Sequence, residues 1–76
     1  MGGEREVTRA WVDVYTELVE FEENLLNRLY EMLPTMTAED RHEAELTDLP
    51  MVVQHLQTFR YRRAHWRQRL QALTGP

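Results

Sequence analysis

Ten consecutive positions, Arg60-Tyr61-Arg62-Arg63-Ala64-His65-Trp66-Arg67-Gln68-Arg69, hold most of the chemistry this chain can offer. Guanidinium groups interleaved with aromatic rings grip phosphates by charge and bases by stacking. Arg60, Arg62, Arg67 and Arg69 are the candidate contacts for a nucleic acid. Two observations weigh against that use. The net charge of −4 opposes approach of a polyanion. The spacing also sets these arginines along the borders of an apolar stripe, where acids from elsewhere in the chain can neutralise them. A nucleic-acid-binding regulator is therefore the second expectation.

Glu39-Asp40-Arg41-His42 contains Glu-x-x-His, the i, i+3 ligand pair of carboxylate-bridged metal bundles. Glu20, Glu22 or Glu23 of other copies could add carboxylates, which makes a metal-binding bundle the third expectation. The pair falls on a short connecting segment, whereas the metal pattern needs long bundle helices. Glu39 and His42 are accordingly expected to be solvated surface, and no metal ligand or cofactor is assigned. His55 and His65 occupy different sectors of one helix and form no ligand pair. Adjacent carboxylates such as Glu22-Glu23 suit acid/base chemistry, but no third group accompanies them. The chain has no Ser, Lys or Cys, which removes the usual covalent nucleophiles. Its glycines, Gly2, Gly3 and Gly75, all lie at the ends, so no internal loop can cradle a phosphate. No catalytic residue is assigned, and the expectation is that the protein is not an enzyme.

These residues must be positioned by a single small domain, because 76 residues support no more. Without cysteine the fold has no disulfide or thiolate staple, leaving helix packing and oligomerisation as sources of stability. No apolar run reaches the roughly 18 residues of a membrane span. The start, Met1-Gly2-Gly3-Glu4-Arg5-Glu6, lacks the basic flank and apolar stretch of a signal peptide. The expected location is the cytoplasm.

Periodicity predicts an all-α fold. Val7, Trp11, Val14, Leu18, Phe21, Leu25 and Met32 recur in steps of four and three, with Arg28 filling one slot, which predicts a helix over about 6–33. Pro34 ends it. Thr37 with Asp40 three residues on resembles a capping box and predicts a short helix at about 38–46. Asp48 is the expected cap of a last helix over about 49–73, with Pro50 in its first turn. Its stripe is Val52, Leu56, Phe59, Arg63, Trp66, Leu70 and Leu73, and Gly75-Pro76 stops it. No alternating run suggests a strand.

Charge suggests how the long helices meet. Residues 51–76 carry five arginines and no acid, whereas residues 1–33 carry eight acids and three arginines. An antiparallel hairpin, with residues 34–49 as the connection, aligns the two stripes along their length. It pairs Leu25 with Phe59, Leu18 with Trp66 and Trp11 with Leu73. It also places Glu17 beside Arg69, Glu22 beside Arg60, Glu31 beside His55 and Tyr15 beside Arg67. Arg28 and Arg63 interrupt the seam and are expected to snorkel past its edge.

Helix 1 holds a second set of apolar positions. Val12, Val19, Leu26 and Leu33 recur every seven residues, and with Tyr15 and Leu29 they widen the apolar arc to roughly 160°. One hairpin seam cannot cover that arc. The short helix, with Met36, Leu46 and Leu49, can cover one end. Val12, Tyr15, Val19, Leu26, Leu29 and Leu33 are therefore the expected self-association face. The hairpins are expected to join as a homodimer or higher oligomer, most simply a four-helix bundle. The leading function is a non-catalytic interaction protein acting as an adaptor, regulator or assembly subunit. Its expected partner is itself, with another protein as a further partner.

Overall fold

A stripe repeating every four and three residues buries one side of a helix, and two long helices with such stripes, joined through a short third, make up the described residues. The computed structural model describes residues 3–75. Pro76, half of the expected stop, lies outside them, as do Met1 and Gly2. Helix α1 spans Glu4–Met32, α2 Ala38–Leu46 and α3 Asp48–Thr74. No strand occurs among the described residues. Glu4 and Glu6 lie in the first turn of α1, where acids favour the positive end of the helix dipole.

The chain reverses in a few residues. Pro34 sits in a single 3₁₀ turn, Leu33–Thr35, and Thr35 Oγ1 donates to the Met32 carbonyl at 2.7 Å. Thr37 caps α2 by accepting from the Asp40 amide at 3.2 Å, as the spacing of those residues suggested. Arg41 ties the turn from the other side, donating to the carbonyls of Leu33 at 3.0 Å and Met36 at 3.3 Å. The Leu33 carbonyl also accepts from the Met36 amide at 3.2 Å, so Arg41 adds a second donor there and ties α2 to the carbonyls that end the turn.

α2 and α3 form one bent arm. Only Thr47 separates them, with φ −120° and ψ −62°. The Thr47 amide still bonds to Glu43 at 3.0 Å and the Met51 amide to Thr47 at 3.3 Å. Between these two bonds the ladder is broken at Thr47, which is a turn residue rather than a helical one, and Pro50 cannot mend it, because proline has no N–H to offer the Leu46 carbonyl. The expected Asp48 cap is not formed: Asp48 lies inside α3, which starts without a side-chain cap. Thr47 Oγ1 instead donates to the Glu43 carbonyl at 2.7 Å.

The molecule is therefore a two-armed hairpin with one bent arm. It measures 56 × 16 × 15 Å. At 1.5 Å per residue, the helical arm from Ala38 to Thr74 alone accounts for about 56 Å. The expected seam needs all of residues 34–49 as the connection. Because α2 belongs to the returning arm, the turn is much shorter, and the two arms meet about one heptad away from the expected register. α2 packs near α3 and the turn rather than along α1. Leu46, expected to cover one end of α1, is exposed.

The core between α1 and α3 is narrow. Val19, Val52 and Leu56 are its buried apolar side chains, with Ala44 adding a further one on α2. Above them runs a ladder of rings. Tyr15 meets Phe59 at 6.2 Å, Trp11 stacks on Tyr15 at 6.0 Å, and Trp11 stacks on Trp66 at 5.7 Å with 14° between the planes.

Candidate interaction surface

α1 turns a different side to α3 than its first stripe suggested. Thr8, Val19 and Glu22 are buried, and Val12, Tyr15, Leu26, Leu29 and Leu33 are half-buried. Together they form a second four–three stripe, offset by one residue from the first. One residue is about 100° of helix rotation. Val12, Tyr15, Val19, Leu26, Leu29 and Leu33 thus belong to the hairpin interior. Val19, at 1% exposure, presents nothing to a second chain. The expected self-association face and the expected hairpin seam have exchanged places.

The stripe that was to be the seam faces outward. Val7, Trp11, Val14, Phe21 and Met32 are between 42% and 63% exposed, and Leu18 and Leu25 are half-buried. Arg28, in the same stripe, is exposed and so lies outside the hairpin seam. Beside it, Phe21, Asn24, Leu25 and Arg28 line an open groove of about 230 Å³. On α3 the expected stripe does face α1: Val52 and Leu56 are buried, and Phe59, Arg63, Trp66, Leu70 and Leu73 are half-buried.

The charge pairs change with the register. Arg69 meets Glu4 at 2.6 Å rather than Glu17, and Arg60 meets Glu23 at 3.0 Å rather than Glu22. Both pairs are well exposed, so each contributes little, about 0–1 kcal/mol. Arg62 donates to the Tyr15 hydroxyl at 3.4 Å, in place of the expected Arg67 neighbour. His55 lies beside Glu22, Nδ1 to Oε1 3.7 Å, in place of Glu31. Arg5 reaches the Leu73 carbonyl at 3.3 Å and joins the open ends of the arms.

Glu22, expected on the flank beside Arg60, lies inside the hairpin instead. It is only 7% exposed, and its buried Oε2 has no hydrogen-bond partner. It occupies a core position in the second stripe, as Arg28 does in the first. A single charged interruption in each stripe left nothing in the pattern to say which one faces α3.

The arginines of α3 do not form one phosphate-binding face. Arg60, Arg62, Arg67 and Arg69 are exposed. Arg60 and Arg67 lie on one flank of the helix and Arg62 and Arg69 on the other, about 160° apart. Between them, Tyr61, Arg62, His65 and Trp66, with Gln57 and Thr58, edge an open groove of about 610 Å³. It belongs to α3 alone and is not a cleft between helices. Glu39 and His42 are both exposed on α2. Among the described residues no three His, Asp or Glu side chains converge in a metal-binding group. No described helix is long and apolar enough to cross a membrane. No family model matches the chain, and comparison with curated proteins and with solved structures finds no match.

Proposed function

We propose that the protein is a non-catalytic helical interaction module. Its hairpin pairs with a second copy to make a four-helix bundle, and it acts as an adaptor, regulator or assembly subunit. The observation that carries this reading is the outward stripe of α1, an uninterrupted run of large apolar side chains from Val7 to Leu25 in four–three steps. Surface apolar residues scattered singly need no explanation, but a contiguous exposed stripe marks an interaction surface.

Geometry supports the same reading. The centres of the two α1 stripes lie about 100° apart around the helix. A helix at the corner of a square bundle needs two apolar seams at close to a right angle. One seam holds α3; the other, of which Trp11 also stacks on Trp66 of α3, keeps Val7, Val14, Phe21 and Met32 exposed for a partner helix.

The test is light scattering on the wild-type chain and on Phe21→Glu. Phe21 is 63% exposed in the hairpin, so the substitution leaves the two-helix fold and its helicity intact. The wild type is expected to have at least twice the chain mass, and the variant to fall to the mass of one chain. A wild type that stays monomeric at every accessible concentration overturns the proposal.

A further inference from the structure

We infer that the second copy lies antiparallel along α1, related by a two-fold axis level with residues 19–20. This inference rests on the self-association proposed above and specifies its orientation and register. In that register residue numbers across the interface add up to 39. Leu18 meets Phe21, Val14 meets Leu25, Trp11 meets Arg28 and Val7 meets Met32, each pair occurring twice. A two-fold interface must be self-complementary in this way.

Any four–three stripe can be paired with its own reverse, so spacing alone does not choose the arrangement. Residue identity does. A parallel dimer sets Arg28 directly against Arg28 of the other copy in an apolar seam, a like-charge contact that disfavours it. The antiparallel register lays each guanidinium over the indole of Trp11, a favourable cation–π geometry. The Trp11 ring is held in place by Trp66 at 5.7 Å and Tyr15 at 6.0 Å, and the residue is still 42% exposed.

Slipping the antiparallel pair by one heptad is worse in both directions. One slip sets Arg28 against Leu18 and leaves Val7 and Trp11 uncovered. The other sets Arg28 against Glu4, but that carboxylate is already held by Arg69 of its own chain at 2.6 Å, and Met32 is left uncovered. The chosen register covers every apolar member of the stripe. It also brings Trp11, Val14 and Leu18 of one copy to the groove beside Phe21, Leu25 and Arg28 of the other. On the flank, Glu17 faces Asn24 and Glu31 faces Ala10, so no like charges oppose.

The surface available fits one such interface. The chain exposes 5951 Å², whereas a compact monomer of its mass exposes about 4900 Å². The excess, about 1000 Å², is what a rod of 56 × 16 × 15 Å carries over a compact domain, and it leaves room for an interface of the roughly 800 Å² that each partner of a stable pair buries.

Because the chain has no cysteine, disulfide trapping reads the register directly. Val14→Cys and Leu25→Cys variants are mixed, oxidised and analysed by non-reducing gel and mass spectrometry. The expected product is the 14–25 bridge, in severalfold excess over 14–14. Predominant 14–14 bridges mean a parallel pair and overturn the inference, as does preferred bridging of Val14→Cys to Leu18→Cys. Absence of every bridge in a chain that light scattering shows to be dimeric overturns it too, while leaving the functional reading standing. A monomeric wild type removes both. Should the cysteine variants misfold, a mixture of ¹³C-labelled and unlabelled wild type serves instead. Intermolecular contacts between the methyls of Val14 and Leu25 are expected there, and contacts of Val14 with Val14 refute the arrangement.

Discussion

Glu22 and Val19 sit one turn apart on the same face of α1 and contribute with opposite sign. Val19 fills the narrow core at 1% exposure. Val19→Ala removes two buried carbons and leaves a gap, so it is expected to lower stability by roughly 2 kcal/mol, read as a drop in the urea midpoint. Glu22 takes a carboxylate into the same interface. Among the described residues its nearest basic neighbour is the His55 ring, Nδ1 to Oε1 3.7 Å, and Oε2 has no partner. A buried polar atom left unpaired costs about 1–3 kcal/mol. Glu22→Leu removes that penalty and adds apolar area at a core position, so its urea midpoint is expected to rise by the equivalent of about 1 kcal/mol or more. A fall in the midpoint would show that the carboxylate is satisfied in solution.

At the level of elements, much of the fold was legible. The α3 stripe from Val52 to Leu73 faces α1 as its spacing required, because the neighbouring column of that helix holds only Gln57, Ala64 and Gln71 and offers no competing face. α1 was ambiguous for the converse reason. It has two complete stripes one residue apart, and periodicity alone cannot say which meets α3. The register depended on turn length, and there Pro50 misled. It reads as the start of a new helix after a loop, but only Thr47 separates that helix from α2, and the bonds from Thr47 to Glu43 and from Met51 to Thr47 span the break, so the junction is a bend in one arm. Pro50→Ala restores a donor for the Leu46 carbonyl. The expected result is a straighter junction, with a protected amide at position 50 and slower exchange at Thr47 by NMR, and a gain of at most about 3 kcal/mol. If the bend persists unchanged, the packing of Ala44 sets it rather than the proline ring.

At the scale of the whole molecule, a rod of this shape has too little interior for its length. Its radius of gyration is 17.0 Å, against about 11 Å for a compact domain of the same number of residues. The two ion pairs between the arms are exposed and weak, so they do not make good the small core. The apolar stripe of α1 leaves Val7, Trp11, Val14, Phe21 and Met32 exposed, and the proposed second copy would bury them. Under the proposed pairing, stability and assembly are one equilibrium, and the unfolding midpoint is expected to depend on protein concentration by mass action. Thermal unfolding followed by circular dichroism across a hundredfold range of concentration is expected to show the wild-type midpoint rising steadily. Phe21→Glu, with its stripe interrupted, is expected to melt lower and at one temperature throughout that range. Should the wild-type midpoint also stay constant from dilute to concentrated solution, without approaching the behaviour of a saturated dimer, the hairpin is stable by itself and the α1 stripe has no part in holding it together.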